Sequence, residues 1–153
     1  MQRVAIAAPQ RVISLTSIMS SSGARGLPQA APKVMQAMIS RPNGTSAQAV
    51  VDHTVRLFKA IGSPAYPTPE DELRARVLEG IHRSFHPVGT LRQMVAIVSD
   101  ITRAAQLMRI TSPTLVIHGK ADPLVPYGCG EDTARRIPGA KLVGRSEEHT
   151  SEL

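Results

Sequence analysis

One carboxylate in the chain is placed where it could orient a catalytic base. Asp122 lies within residues 118–126, which directly follow the most apolar short run of the sequence, residues 114–117. Pro123 restricts Asp122 to extended conformations, and Gly119 allows a sharp turn. A carboxylate held in one orientation can fix the tautomer of a catalytic histidine and stabilise its protonated form. Asp122 is therefore a candidate for the acid of a nucleophile–histidine–acid triad. Taken alone, however, an aspartate before proline after a strand is more typical of a turn residue or helix cap.

The other reactive side chains have no catalytic or metal-binding partners in the sequence. Cys129 is the only cysteine, which excludes an internal disulfide, and it forms no zinc pattern. We expect it to be a small residue near a helix start. Three histidines fall on or near predicted helices without carboxylates at a metal-ligand spacing: His53, His82 and His86. The sequence therefore predicts neither a metal ion nor a cofactor.

Three further residues are expected near the predicted site. His118 ends the apolar run, where we interpret it as a structural residue. Met19 ends an earlier predicted strand and Met94 lies on a predicted helix, so either could face an apolar substrate. Methionine at such positions more often fills a core.

The composition excludes several classes of function. With 42% hydrophobic and 20% charged residues, the chain resembles a soluble globular protein. Only 3% of its residues are aromatic, and the basic residues behind its net charge of +6 are dispersed, so we predict no nucleic-acid partner. No apolar run approaches the roughly 20 residues that span a bilayer. The apolar stretch at the first residues is too short for a secretory signal. We therefore predict a cytoplasmic location without a membrane partner.

The predicted elements alternate as in an α/β domain. A helix end at residues 2–8, which lacks a capping residue, precedes a strand at 11–19 that is apolar on both faces. A strand at 113–118, a helix at 132–137 and a strand at 140–143 follow later, which indicates a parallel sheet. Roughly ninety residues separate the first two strands, far more than a usual crossover. This insertion is therefore predicted to be a lid or cap.

The insertion is predicted to consist of amphipathic helices. The expected helices cover residues 28–39, 46–62, 69–85, 91–98 and 102–108, with Thr45 and Thr68 as capping residues of the second and third. Their apolar stripes are Val34, Met35 and Met38; Val51, Val55 and Phe58; and Leu73, Val77, Ile81 and Phe85. Because an amphipathic helix is not stable alone, each stripe should be buried against a neighbour.

Two segments carry a family resemblance. The sequence Pro-Thr-Leu-Val-Ile-His-Gly-Lys-Ala-Asp-Pro-Leu-Val-Pro at residues 113–126 resembles the acid-bearing segment of α/β-hydrolase fold proteins. The sequence Leu-Thr-Ser-Ile-Met-Ser-Ser-Ser-Gly at residues 15–23 resembles the strand end after the nucleophile helix in bacterial esterase-like members related to aclacinomycin methylesterases. The resemblance extends from residue 1 to about residue 143. It implies a hydrolase core at residues 1–22 and 110–144, interrupted by a helical cap at 23–109, and assigns the triad acid to Asp122.

The resemblance also implies that the other triad members lie elsewhere. The family places its nucleophile in a Gly-x-Ser-x-Gly turn and orders the triad as nucleophile, acid, histidine. These 153 residues contain no Gly-x-Ser-x-Gly, and the uncapped helix at 2–8 is expected to be the end of the nucleophile helix. Residues 145–153 resemble the translation of a sequencing adapter, so we predict a non-native tail there and exclude His149 as a catalytic residue. A natural helix start capped by Ser146 is the alternative.

The predicted function is that of part of a serine hydrolase. The parent protein is expected to cleave a small apolar ester-like substrate through a Ser-His-Asp triad, of which only Asp122 is present, so the fragment is predicted to be inactive. A cofactor-free haloperoxidase or perhydrolase is one alternative. A non-catalytic ligand-binding relative of the same fold is another.

Overall fold

The computed structural model describes residues 1–146, and its centre is a parallel sheet of three strands. The strands are β1 (Leu15–Ile18), β2 (Thr114–Gly119) and β3 (Lys141–Arg145), and β2 lies in the middle. Leu15 pairs with Thr114, and Leu115 pairs with Lys141. The parallel sheet predicted from the sequence is confirmed.

Seven α-helices are found in residues 1–146. They are α1 (Gln2–Ala7), α2 (Pro32–Ile39), α3 (Ala47–Ile61), α4 (Glu70–Arg83), α5 (Pro87–Ser99), α6 (Arg103–Gln106) and α7 (Tyr127–Arg136). Two 3-10 turns, Pro9–Arg11 and Leu107–Arg109, follow α1 and α6. No helix in this part of the chain has both the length and the apolar character needed to cross a membrane.

The main core lies between the sheet and the helices that flank it. Six buried residues form one apolar cluster: Ala5, Ile6, Leu15, Leu107, Ile110 and Ile137. Val12 and Ala140 pack against its edge. The cluster joins α1, β1, the turn before β2 and the end of α7, and burial of its apolar surface is the main force that holds these elements together.

Two glycines on helix α7 allow close contacts with neighbouring segments, and Gly130 is the one that faces β2. A Cβ atom on Gly130 would lie 2.5 Å from Nδ1 of His118, and one on Gly128 would lie 3.2 Å from the ring of Pro28. Glycine costs about 1 kcal/mol relative to alanine within a helix. The sequence prediction placed the helix start at Asp132, which was too late, because glycine-containing segments have low helix propensity.

The first strand differs from its prediction. β1 covers four residues, since Arg11 belongs to the 3-10 turn. Leu15 and Ser17 are buried, whereas Thr16 and Ile18 are exposed, so burial on both faces was wrong. Side chains alternate between the faces of a strand, and only one face of β1 packs on the core in the described structure.

The helices between β1 and β2 agree only in part with their predicted stripes. Three valines form a second cluster between α3 and α4, with Leu73 and Ile81 packed against it: Val51, Val55 and Val77. Phe85 lies beyond the end of α4 and is exposed. Helix α5 has no buried residue; Leu91 is 66% and Val98 is 72% exposed. The expectation that every stripe is buried was therefore wrong for α5 in the described structure.

Both predicted helix caps are shifted by one residue. The side chain of Ser46, and not that of Thr45, accepts a hydrogen bond from the backbone N–H of Ala49 at 3.1 Å. Pro69 occupies the position before α4 that was assigned to Thr68. Adjacent Thr and Ser residues have similar capping ability, so the sequence alone does not choose between them.

A charged cluster joins the end of the helical segment to the core. Arg103 donates from Nε to the carbonyl oxygen of Ser22 at 3.1 Å and from Nη1 to Oδ2 of Asp100 at 2.8 Å. Arg3, on α1, also donates from Nε to Asp100 Oδ2 at 3.1 Å. The hydrogen bond from Arg3 is the main cause of a lowered pKa of the Asp100 carboxyl group, and Arg103 contributes. One carboxylate therefore connects α1, the end of α5 and the chain after β1.

Candidate active site

The candidate site begins where β2 ends, in the acid loop, which we define as residues 119–126. The backbone N–H of Asp122 donates to the carbonyl oxygen of Gly119 at 3.3 Å. Oδ1 of Asp122 accepts hydrogen bonds from the N–H groups of Leu124 and Val125, both at 2.9 Å. The Asp122 side chain is 10% exposed. These bonds fix both the backbone and one carboxylate oxygen.

The second carboxylate oxygen of Asp122, Oδ2, differs from Oδ1 in its hydrogen bonding. Within residues 1–146, no hydrogen bond to Oδ2 of Asp122 is found. Its nearest basic group is Nε2 of His118 at 4.0 Å, which is too long for a hydrogen bond. The bonds to Oδ1 are those of an aspartate-stabilised turn, so they are also compatible with a purely structural Asp122. The available Oδ2 is the feature that a triad acid requires in addition.

His118 lies directly beneath the acid loop. Its side chain is fully buried, and Nε2 lies 2.7 Å from the carbonyl oxygen of Val125. The ring of Tyr127 meets the imidazole edge-on, with centroids 6.0 Å apart and an interplanar angle of 83°. Nδ1 of His118 has no hydrogen-bond partner in the described part of the chain. His118 is thus buried at the strand end, as the sequence predicted, but it also contacts the acid loop.

A large cleft opens between the acid loop and helices α3 and α4. Its volume is about 1500 Å³, and Asp122 is one of its lining residues. The chain has four aromatic residues in all, and three of them line this cleft: Phe58, Tyr66 and Phe85. Phe58 and Phe85 were predicted to belong to buried helix stripes, but they are partly exposed here. The cleft therefore combines a carboxylate with apolar walls.

Met19 reaches the same cleft from the end of β1. Its φ of 42° is in the left-handed region, which residues other than glycine rarely adopt. The carboxyl ends of neighbouring parallel strands lie at one edge of a sheet, so Met19 and Asp122 reach the same opening. Met94, the other methionine considered from the sequence, is not among the residues that line the cleft.

A buried polar pair behind the loop was missed from the sequence. Ser22 donates from Oγ to Oδ2 of Asp132 at 2.6 Å, and Arg136 donates from Nε to the same oxygen at 2.6 Å. Burial raises the pKa of Asp132, but the bonds from Arg136, Ser22 and Arg135 outweigh it and lower the pKa to about 2. The spacing of Asp132 from Arg135 and Arg136 on one helix was an available signal.

The remaining candidates are separate from the cleft. Cys129 is buried in the first turns of α7, and burial raises the pKa of its thiol, which keeps the unreactive thiol form. No group of three or more metal-ligating side chains is found within residues 1–146. His149 lies in the predicted tail and outside the described residues.

Comparison with known proteins gives a consistent set of relatives. A family model described as TAP-like protein matches residues 95–152. Rhodomycin D methylesterase of Streptomyces peucetius is 25% identical over 162 residues, covering 93% of this chain and 54% of the relative. A 2-hydroxy-6-oxononadienedioate/2-hydroxy-6-oxononatrienedioate hydrolase of Cupriavidus pinatubonensis is 28% identical over 139 residues, covering 90% and 47%. The chain spans about half the length of the curated relatives that it matches.

Solved structures with the same arrangement are also found. A variant of the meta-cleavage product hydrolase from Pseudomonas fluorescens IP01 superposes with a TM-score of 0.69 at 15% identity, covering 95% of this chain and 52% of that one. Est816, described as an N-acyl homoserine lactone degrading enzyme, gives a TM-score of 0.66 at 21% identity, with 95% and 54% covered. At these identities, the likeness concerns the fold.

Proposed function

We propose, since the chain belongs to the α/β-hydrolase fold family, that it is part of a serine hydrolase acting on a carboxylic ester or a similar acyl substrate. The observation that carries the proposal is the geometry of Asp122. One oxygen is fixed by two backbone N–H groups, while the other has no hydrogen bond within the described residues. The carboxylate also lines the large cleft. A triad acid needs this combination of fixed orientation and a free acceptor.

The proposed chemistry assigns one role to this chain. A serine would attack the acyl carbonyl, and a histidine would accept the serine proton and pass it to the leaving group. Asp122 would accept a hydrogen bond from that histidine at Oδ2 and stabilise its charged form. The serine, the histidine and the oxyanion donors would be supplied from outside these 153 residues.

The proposed division of the chain follows the same reasoning. Residues 1–22 and 110–144 would form part of the hydrolase core, and residues 23–109 would form a cap over the cleft. Residues 145–153 would be a non-native tail. The predominantly apolar lining of the cleft supports a small apolar substrate. The rhodomycin D methylesterase and the 2-hydroxy-6-oxononadienedioate hydrolase among the relatives act on small molecules, as their names state.

The test begins with the genomic sequence on both sides of the region that encodes this chain. We expect a Gly-x-Ser-x-Gly motif within about one helix length before Met1. The longer protein should hydrolyse p-nitrophenyl esters, and D122N should lower kcat about 10⁴-fold, since the analogous change in a known triad has that effect. Glu131 is an exposed acid on α7, so E131Q is the matched control and should keep full activity. A different residue at the motif, or an active D122N, would contradict the proposal.

The chain as it stands should lack esterase activity. Loss of a triad member typically costs about 10⁴-fold or more in rate. We expect no fluorophosphonate labelling and no ester hydrolysis above the buffer rate. Stoichiometric labelling of any residue of this chain would show that a nucleophile is present after all.

A further inference from the structure

We infer that His118 is a positioning residue for Asp122: its imidazole holds the acid loop in the shape that fixes the carboxylate. This inference rests on the proposed function only for the role of Asp122 itself. His118 lies behind the loop and is fully buried, so it would act through the backbone of Val125 and not by contact with substrate.

The hydrogen bonds of His118 define its tautomer. The carbonyl oxygen of Val125 can only accept, so the ring nitrogen 2.7 Å away, Nε2, must carry the proton. Nδ1 is buried and has no partner within residues 1–146. The hydrogen bond to Val125 therefore requires the proton on Nε2.

The imidazole is held in place from the side of α7. The ring fits closely against α7 because residue 130 is glycine, since a Cβ atom there would lie 2.5 Å from Nδ1. Tyr127 packs edge-on against the ring. His118 itself belongs to β2 and pairs with Gly144 of β3. The donor at Nε2 is thus anchored to the sheet and to the helix at once.

Val125 transmits this anchoring to the carboxylate. Its carbonyl oxygen accepts from His118, and its N–H donates to Oδ1 of Asp122 at 2.9 Å. The N–H of Leu124 donates to the same oxygen. Fixing Val125 therefore fixes the orientation of the carboxylate, while the 4.0 Å between Nε2 and Oδ2 leaves the second oxygen available. His118 positions the acid without using its free acceptor.

The test replaces the Nε2 donor of His118 with amide donors that extend to two different distances from the backbone. In H118Q, the side-chain amide can extend to the position of Nε2, whereas in H118N it reaches only about as far as Nδ1. Hydrogen exchange of the Leu124 and Val125 N–H groups is measured by NMR on the 153-residue chain. The N–H groups of Leu15 and Met19, which bond to Pro113 and Ile117, serve as references for the sheet.

We expect H118N to raise exchange at Leu124 and Val125 about fivefold relative to the references, which corresponds to the loss of one hydrogen bond of about 1 kcal/mol. H118Q should stay within about twofold of the parent chain. Equal effects of the two variants, or uniform acceleration across the sheet, would reduce His118 to a packing residue.

A second measurement is independent of whether the variants fold. Ring ¹⁵N shifts of His118 in the unsubstituted chain should show a proton on Nε2, and an Nε2 without a proton would overturn the inference. Neither readout uses catalysis. A failure of the proposed hydrolase activity would therefore leave this result unaffected.

Discussion

The sheet with α7 and the helical segment between β1 and β2 are stabilised in different ways. The first contains the six-residue apolar cluster and several buried polar side chains with defined partners, among them Asp132 and Ser22. The second relies on a three-valine cluster and on exposed ion pairs such as that of Lys59 with Glu70, and its helix α5 buries no residue in the described structure. Local stability follows local burial, so the carboxylate side of the cleft should be rigid and its helical side easier to displace.

The largest effect that tests this contrast is a cavity in the main cluster. Leu107 is fully buried, and L107A should lower the free energy of unfolding by about 3 kcal/mol, since it removes buried carbon and leaves a cavity. V55A, in the valine cluster, should cost clearly less. Urea denaturation followed by circular dichroism gives both values. Equal losses of unfolding free energy in L107A and V55A would show that the two regions are equally well packed.

The next effect is a dependence of stability on pH that arises from Asp132. Its pKa is lowered from 3.8 to about 2 in the folded chain. A lowered pKa stabilises the folded state above about pH 4, and this contribution is lost as the pH falls toward 2. The pKa difference corresponds to about 2 kcal/mol. Urea titrations at pH 6 and pH 3 should show roughly half of this loss in the parent chain, because Asp132 of the folded chain is still mostly ionised at pH 3, and a smaller loss in D132N. An unchanged pH dependence in D132N would assign the acid sensitivity to other groups.

A smaller effect concerns the connection between the two regions. Arg103 bonds to Asp100 and to the carbonyl oxygens of Ser21 and Ser22. R103A should lower the free energy of unfolding by about 1.5 kcal/mol, the usual scale for hydrogen bonds to a charged group. The increase in amide hydrogen exchange should be larger in α5 and α6 than in β2. A uniform increase would show that Arg103 does not separate the regions.

The smallest expected change is on α5. Val98 is 72% exposed, so V98S should alter the free energy of unfolding by less than about 0.5 kcal/mol. The same urea titration provides the measurement, and V51A on the packed helix α3 is the control. A loss as large as that of V51A would mean that α5 is packed in solution.

The sequence predicted the parallel sheet and the acid loop because both depend on local signals. Apolar β-branched runs bounded by Pro and Gly define β2, and the Gly119 and Pro123 positions define the turn around Asp122. The close contact of α7 with β2 was not predictable, since it depends on Gly130. Glycine has a low helix propensity, and its advantage here arises only from packing in the folded chain. The bond between His118 and Val125 likewise requires the folded turn.

The residues that line the cleft could also be predicted only in part from the sequence. Met19 was a candidate from its position at a strand end, and it does line the opening. Phe58 and Phe85 were interpreted as core residues because their spacing is helical, but spacing cannot distinguish a side chain that faces a core from one that faces a cleft. The distinction depends on how α3 and α4 are placed over the sheet.

The long separation between β1 and β2 has a consequence for the order of folding. Thr114, the partner of Leu15, lies 99 residues later in the chain. At about 5–20 residues per second, synthesis leaves β1 without this partner for roughly 5 to 20 s, whereas α3 and α4 are neighbours in sequence and can pair at once. Closing so long a loop is slow relative to local helix pairing. The valine cluster is therefore expected to form during synthesis, before β1 pairs with β2.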